Sequence, residues 1–142
     1  STRRSPIGNR RGTAPAARRR VILVDSTVWI DHLRGSDPTL VRLLEMDHIL
    51  AHPFVIAELA LGNLRQRDVI IGWLRDLPCA ATTTDDELLH FIERHNLSGI
   101  GIGLVDAHLL ASVTLAPDAR LWTRDRRLRM AAEGIGRDAG LA

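Results

Sequence analysis

Four acidic side chains end or interrupt apolar runs of the chain, where an uncompensated carboxylate is costly. They are Asp25, Glu58, Asp106 and Asp125. Carboxylate oxygens suit a hard divalent cation such as Mg²⁺ or Mn²⁺, which binds through a few acids together with water and substrate phosphate. A cation held in this way supports hydrolysis of a phosphodiester by an activated water. We therefore expect the four acids to bind Mg²⁺ or Mn²⁺ at a catalytic site.

Each of these acids also has a purely structural explanation. Asp25 and Asp125 precede predicted helices, and Asp is a favoured N-cap residue, so capping explains either one taken singly. Asp106 stands in the first turn of a predicted helix, where the helix dipole favours a negative charge. Glu58 could face solvent, but its apolar neighbours on both sides make it the hardest of the four to explain structurally.

The elements that must position the acids alternate between strands and helices. The run "VILVD" at 21–25 is typical of a strand buried on both faces, and "HILA" at 48–51 and "ARLWT" at 119–123 predict two more strands. Helices are predicted from Ser26 to Gly35, from Pro38, from Pro53 to Gly62, over 68–77, 85–97 and 104–116, and after Asp125. This alternation predicts an α/β fold, a single domain over 21–142 with a central parallel sheet flanked by helices.

The carboxyl ends of parallel strands form the edge at which such sheets bind ligands. Asp25 ends the first predicted strand, and Asp125 follows the third by two residues. Both acids are therefore expected at the same edge of the sheet.

Composition excludes several classes of function. All nineteen basic residues are Arg, which excludes a Lys nucleophile and the Lys of a phosphate-binding loop. The single cysteine, Cys79, allows no internal disulfide and no Cys-x-x-Cys pair, and suits a reducing environment. No apolar run approaches the roughly 18 residues that span a bilayer. We expect a soluble, cytoplasmic protein with no membrane partner.

The first twenty residues differ in composition from the rest of the chain. They hold seven Arg and no acid, whereas residues 21–142 carry a formal charge of −5. Such a segment cannot bury enough apolar surface to fold, so we expect residues 1–20 to be a disordered basic leader. Three interpretations stay open: a nucleic-acid arm, a transit peptide, or a stretch that is non-native or upstream of the natural start. The abrupt beginning of the folded pattern at Val21 favours the last.

Four blocks of the sequence resemble a known family. The blocks "VILVDSTVWIDHLRG", "HPFVIAELALG", "GIGLVDAHLLAS" and "LWTRDRRL" are similar, in this order, to the acidic blocks of PIN-domain ribonucleases, most closely the VapC toxins of bacterial type II toxin–antitoxin pairs. The resemblance covers residues 21 to about 134. It implies a PIN-like domain in which Asp25, Glu58, Asp106 and Asp125 form the metal-binding cluster. Ser26 and Thr123 then occupy the supporting hydroxyl positions.

The resemblance carries further expectations. It implies dependence on Mg²⁺ or Mn²⁺, cleavage of RNA of the tRNA or rRNA class, a homodimer, and inhibition by a VapB antitoxin whose tail enters the active groove. The "GIG" before Asp106 would let the backbone approach the site closely. As a nucleotide-binding fingerprint these glycines are weak, because no suitable strand precedes them. The chain departs from the family in "VDST", where Thr-Ser is the commoner order, and in its basic leader.

Basic and aromatic residues give weaker indications. Five arginines surround Asp125, and Arg124 and Arg126, which flank it, are our candidates for contacts with the RNA backbone. The alternative for each is a solvated helix face. Trp29, Trp73 and Trp122 are predicted in the core. His108 is predicted to project away from Asp106 and has no catalytic role in this interpretation.

Two other enzyme classes also place an Asp after an apolar strand. A haloacid-dehalogenase-like phosphatase needs a second Asp where this chain has Thr27, and both it and a receiver domain need a Lys. A catalytically silent PIN-like module that binds RNA or a partner protein remains the alternative. The complete set of four acids argues against it, because mere binding has no evident need for all of them.

Overall fold

A computed structural model describes residues 20–142 of the chain. The predicted basic leader covers residues 1–20. Of these, residues 1–19 lie outside the described residues, and Arg20 lies within them. The first element of the described residues, strand β1, begins at Val21, where the apolar pattern begins.

Three parallel strands form the sheet of the described chain: β1 (Val21–Val24), β2 (Ile49–Leu50) and β3 (Ala119–Trp122). The order across the sheet is β2-β1-β3, so β1 is central and pairs on both sides. Its residues Ile22, Leu23 and Val24 are buried, which explains why apolar residues run through it without alternation. All three predicted strands are confirmed.

Seven helices accompany the sheet within residues 20–142. They are α1 (Ser26–Arg34), α2 (Pro38–Glu45), α3 (Pro53–Leu61), α4 (Arg67–Arg75), α5 (Asp85–Arg94), α6 (Leu104–Thr114) and α7 (Arg126–Gly134). Every predicted helix is present, and the α/β class with a parallel sheet is confirmed. Helix α6 is buried from Ala107 to Val113, as its nearly continuous apolar sequence predicts.

Local sequence signals set several helix ends. Asp37 caps α2 by accepting hydrogen bonds from the backbone N–H groups of Thr39 and Leu40. Helix α5 begins with a reciprocal capping box between Thr84 and Glu87. These caps satisfy N–H groups that the first turn of a helix leaves without partners.

Single-residue parallel bridges prolong the sheet on both sides. Ala51, next to β2, pairs with Cys79, and Leu121 of β3 pairs with Asp138. Pairings of one residue leave no hydrophobic run in the sequence, so the sequence did not indicate them. They widen the sheet and place β1, with Asp25 at its end, well inside it.

The hydrophobic core packs the two faces of the sheet, and one predicted core residue lies outside it. Trp29 and Trp122 are buried as predicted, whereas Trp73 on α4 is 41% exposed. Trp73 packs edge-on against the ring of Trp29, with ring centroids 5.8 Å apart, and leaves the rest of its ring at the surface. The prediction of a core position for Trp73 was therefore wrong, because the helix it lies on buries only one side.

None of the helices between residues 20 and 142 is both long enough and apolar enough to cross a membrane.

Candidate active site

Asp25 is a buried carboxylate that two hydroxyl groups hold in place. It directly follows β1 and is 3% exposed. Thr27 and Thr123 both donate hydrogen bonds to its Oδ2 atom, at 2.8 and 2.7 Å. The Asp25 N–H donates to the Trp122 carbonyl of the neighbouring strand at 2.9 Å, so the backbone is fixed as well. Asp25 thus has a defined orientation at the carboxyl end of the sheet.

The same hydroxyl groups connect the ends of β1 and β3. The Thr123 hydroxyl, which is fully buried, also accepts from the N–H of Asp125 at 3.0 Å. The Thr27 hydroxyl accepts from the N–H of Arg124 at 3.0 Å. Each Thr therefore links the Asp25 carboxylate to the turn that carries Asp125.

Asp125 is the N-cap residue of α7. Its Oδ1 atom accepts from the N–H of Leu128 at 2.9 Å, and the residue is exposed to solvent. The capping role that the sequence offered as a structural explanation of Asp125 is therefore observed. Capping uses one carboxylate oxygen and sets the direction of the side chain, which is compatible with a second role for the other oxygen.

Glu58 lies on α3 and is exposed to solvent, as its structural explanation allowed. Partial desolvation raises its pKa, and the nearby charge of Asp25 raises it further. A hydrogen bond from the Ser26 side chain opposes both effects and lowers the pKa, because it favours the charged form. Ser26 begins α1, which packs against α3. The predicted hydroxyl position is therefore next to Glu58.

The charges of the other three acids all act on Asp106. It is half-buried in the first turn of α6, and its Oδ2 atom accepts from the N–H of Gly103 at 3.4 Å. Burial raises the pKa of its carboxyl, and the Gly103 hydrogen bond lowers it. The charges of Asp25, Asp125 and Glu58 raise that pKa further. The fold therefore brings the other three predicted acids within electrostatic range of Asp106.

The four carboxylates do not form a closed cage. Within residues 20–142, no three side chains of His, Cys, Asp or Glu are close enough together to hold a metal ion as they stand. Burial is also graded: Asp25 is inside, Asp106 is half-buried, and Glu58 and Asp125 reach solvent. Of these four acids, only Asp25 is buried.

Curated relatives identify the family. No protein-family profile matches the chain. Two relatives named Ribonuclease VapC32, from the Mycobacterium tuberculosis strains CDC 1551 / Oshkosh and H37Rv, are each 51% identical to it over 116 residues. The alignment covers 82% of this chain and 94% of each relative. The chain belongs to the VapC family of PIN-domain ribonucleases. The resemblance seen in its four sequence blocks is confirmed.

The predicted RNA-contacting arginines of this VapC-family chain lie in different environments. Arg124 forms ion pairs with Asp31 at 2.8 Å and Asp37 at 2.7 Å. It also donates to the carbonyl oxygen of Ala142. Its guanidinium is therefore engaged in joining α1, α2 and the end of the chain. Arg126 is exposed at the first position of α7.

Two buried imidazoles lie beside the acid-bearing helices. His108 is buried, and its ring lies edge-on to Phe54 with centroids 4.6 Å apart. His52 caps α3 through a hydrogen bond from the Phe54 N–H to its Nδ1 atom. Burial lowers the pKa of His52 to about 4, and the neighbouring His108 contributes to the shift. Both residues join α3 to α6 rather than reaching the acids.

Thr27 is a site residue of this VapC-family chain that the sequence prediction did not include. Only Ser26 and Thr123 were assigned supporting roles, yet Thr27 contacts Asp25 directly. The available signal was the hydroxyl two residues after an Asp, a spacing at which side chains commonly form local hydrogen bonds. Ser26 instead lies beside Glu58.

Proposed function

We propose that the chain is a Mg²⁺- or Mn²⁺-dependent endoribonuclease toxin of a VapBC-type toxin–antitoxin system. The observation that carries the proposal is that Asp25 is held at the carboxyl edge of the sheet by Thr123, and that the charges of Asp25, Asp125 and Glu58 all act on Asp106. Family membership gives the reaction class, since the relatives carry the name ribonuclease.

The chemistry of the donor set supports a divalent cation. The four side chains offer only oxygen ligands, which suit a divalent cation. Burial and the like charges of the other acids raise the pKa of Asp106, and a bound cation would offset this electrostatic cost. Asp25, Glu58, Asp106 and Asp125 would hold the ion. When bound, it would assist deprotonation of the attacking water and stabilise the charge that develops on the phosphate oxygens.

The other side chains of the site orient the acids. The hydroxyls of Thr27 and Thr123 keep Asp25 directed at the sheet edge, and Ser26 favours the ionised form of Glu58. Each of these hydroxyls hydrogen-bonds to a carboxylate that the proposal assigns to the cation, so none of them is assigned the role of nucleophile. Water is therefore the proposed nucleophile, and the protein supplies geometry and charge.

RNA of the tRNA or rRNA class is the proposed substrate. Residues 21–142 carry a formal charge of −5, so the body of the protein does not attract a polyanion as a whole. Affinity must then come from the cation and from local arginines. We expect chelation to abolish RNA binding near the acids. Tight, salt-insensitive binding in excess chelator would contradict this expectation.

A groove beside Glu58 supports a VapB-type antitoxin as the partner. It has a volume of about 640 Å³ and lies between the ends of α1 and α3 and the following loop. Its wall combines Ile30, Leu33 and Ile70 with Arg34, Arg65 and Glu58. An antitoxin segment in this groove would cover Glu58. A homodimer and a cytoplasmic location complete the proposal, on the family resemblance.

A catalytically silent PIN-like module is the second candidate. The observation in its favour is that no three of the potential ligands among residues 20–142 are close enough to hold a metal ion. Such a module would bind RNA or protein without cleaving it.

Induction of the chain in a bacterial host, with transcriptome-wide mapping of new RNA 5′ ends, separates the two candidates. Asp106→Asn removes one charge of the cluster with little change of shape. Glu93→Gln, an exposed position on α5, is the matched control for loss of a charge. The ribonuclease proposal predicts new ends at a few sites with the wild type and Glu93→Gln, and none with Asp106→Asn. Folded wild-type protein that produces no new ends would favour the silent module.

A further inference from the structure

The arginines on either side of Asp125 differ in what holds them. Arg124 is bound by two carboxylates, whereas Arg127, in the first turn of α7, has no acid within 4.0 Å among residues 20–142. Arg127 is also exposed to solvent. Its positive charge is therefore available to an external anion.

The Arg127 side chain lies against Gly101. A Cβ atom at residue 101 would be 2.6 Å from the Arg127 Nη1 atom, 3.0 Å from its Cδ and 3.1 Å from its Cζ. The first distance is shorter than real Cβ contacts show and the other two are tighter than most, so a side chain at 101 would displace the guanidinium. Gly101 also has a φ of +89°, which favours glycine.

The contact spans the two segments that carry Asp106 and Asp125. Gly101 is five residues before Asp106, and Arg127 is two residues after Asp125. Helices α6 and α7, which carry Asp106 and follow Asp125, contact each other, and the charge of Asp125 raises the pKa of Asp106. The guanidinium therefore lies on the rim of the candidate active site.

We propose that Arg127, which lies against Gly101, is a binding site for an RNA phosphate next to the scissile one. We call Arg127 and Gly101 together the phosphate seat. This proposal rests on the proposed ribonuclease function. A guanidinium binds phosphate through two parallel hydrogen bonds. The seat places a positive charge where a polyanion must approach four carboxylates. Gly101 acts as a positioning residue, since its lack of a side chain gives Arg127 its place.

The chain provides a matched control for Gly101. Gly99 has a similar φ of +78°, but a Cβ at residue 99 would meet no atom within 4 Å. Gly101→Ala and Gly99→Ala therefore impose the same kind of backbone strain, and only Gly101→Ala displaces Arg127. Arg127→Gln removes the charge and keeps a hydrogen-bonding side chain at an exposed position.

The test measures binding of unfractionated bacterial tRNA to the full chain in Mg²⁺ at several salt concentrations, by filter retention. Arg127→Gln is expected to weaken binding on the order of ten- to a hundredfold, as for a lost charge-assisted contact. It should also reduce the slope of log affinity against log salt by roughly 0.7. Gly101→Ala should weaken binding too, Gly99→Ala should not, and Gly101→Ala should add no further loss in the Arg127→Gln background.

Cleavage is measured on the same preparations, so that a result against the phosphate seat can be distinguished from a result against the proposed ribonuclease function. Seat-dependent binding without cleavage by the wild type would uphold the seat and contradict the ribonuclease proposal. Unchanged affinity and salt slope in Arg127→Gln would overturn the seat, whatever the cleavage result. Equal losses in Gly99→Ala and Gly101→Ala, or no RNA binding by the wild type, would overturn it as well.

Discussion

Substitution of Thr123 by Val tests how the site holds its most buried acid. Valine has nearly the same shape as threonine, so the change removes the hydroxyl and little else. That hydroxyl donates to Asp25 at 2.7 Å and accepts from the N–H of Asp125 at 3.0 Å. Thr123 is fully buried, so water cannot replace either bond.

The expected loss of stability follows from these two hydrogen bonds. A bond to a charged group contributes about 1.5–3 kcal/mol, and a bond to a neutral backbone group contributes about 0.5–1.5 kcal/mol. Thr123→Val should therefore lower the free energy of unfolding by roughly 2–4 kcal/mol. At about 3 °C per kcal/mol for a chain of this length, Tm should fall by roughly 6–12 °C.

Urea unfolding and RNA cleavage are the assays for Thr123→Val. Thr123→Ser keeps the hydroxyl and removes one methyl group, so it should cost only about 1 kcal/mol. Under conditions where both variants are folded, Thr123→Val should lose at least about tenfold in kcat, because a misplaced carboxylate costs transition-state stabilisation. A Val variant as stable and as active as the Ser variant would refute the role assigned to the hydroxyl.

Three further predictions concern stability. Burial lowers the pKa of His52 from 6.5 to about 4. Up to about 3 kcal/mol of stability that is present above pH 6.5 should therefore be lost as the pH falls to about 4. His52→Asn keeps a capping acceptor and should flatten this dependence of Tm on pH. Arg124→Gln should lower the free energy of unfolding by about 1 kcal/mol at pH 7, since the ion pair with Asp37 is partly exposed. Because Arg124 lowers the pKa of Asp37, the free energies of unfolding of wild type and variant, measured in urea, should converge as the pH falls through and below 3.8. Thr84→Ala should lower the free energy of unfolding by about 1 kcal/mol in the same assay, through loss of the capping box, and an unchanged value would contradict that role.

The parts of the fold that the sequence predicted are those with local signals. The run of apolar residues that forms β1 needs both faces buried, and Asp37 followed by Pro38 specifies a helix start without reference to the rest of the chain. Asp125 shows the limit of such reasoning, because capping and membership of the acid cluster both fit its position, and the structure has it capping α7 within range of Asp106.

The parts that the sequence could not predict depend on contacts between distant segments. Thr123 and Asp25 are 98 positions apart, and only the parallel pairing of β1 with β3 brings the hydroxyl to the carboxylate. The difference between Arg124 and Arg127 is likewise invisible in the sequence. It arises because Asp31 and Asp37 reach one guanidinium, whereas Gly101 leaves room for the other.

The chemistry of the cut ends tests the central claim most directly. Purified protein is incubated with RNA, with added Mg²⁺ or Mn²⁺ or with excess chelator, and the new termini are characterised. If acids and a cation activate water, cleavage requires the added metal, is lost in Asp106→Asn, and leaves linear phosphate ends, because water rather than the ribose 2′-hydroxyl attacks. Cleavage in excess chelator that leaves 2′,3′-cyclic phosphate ends and persists in Asp106→Asn would contradict the account.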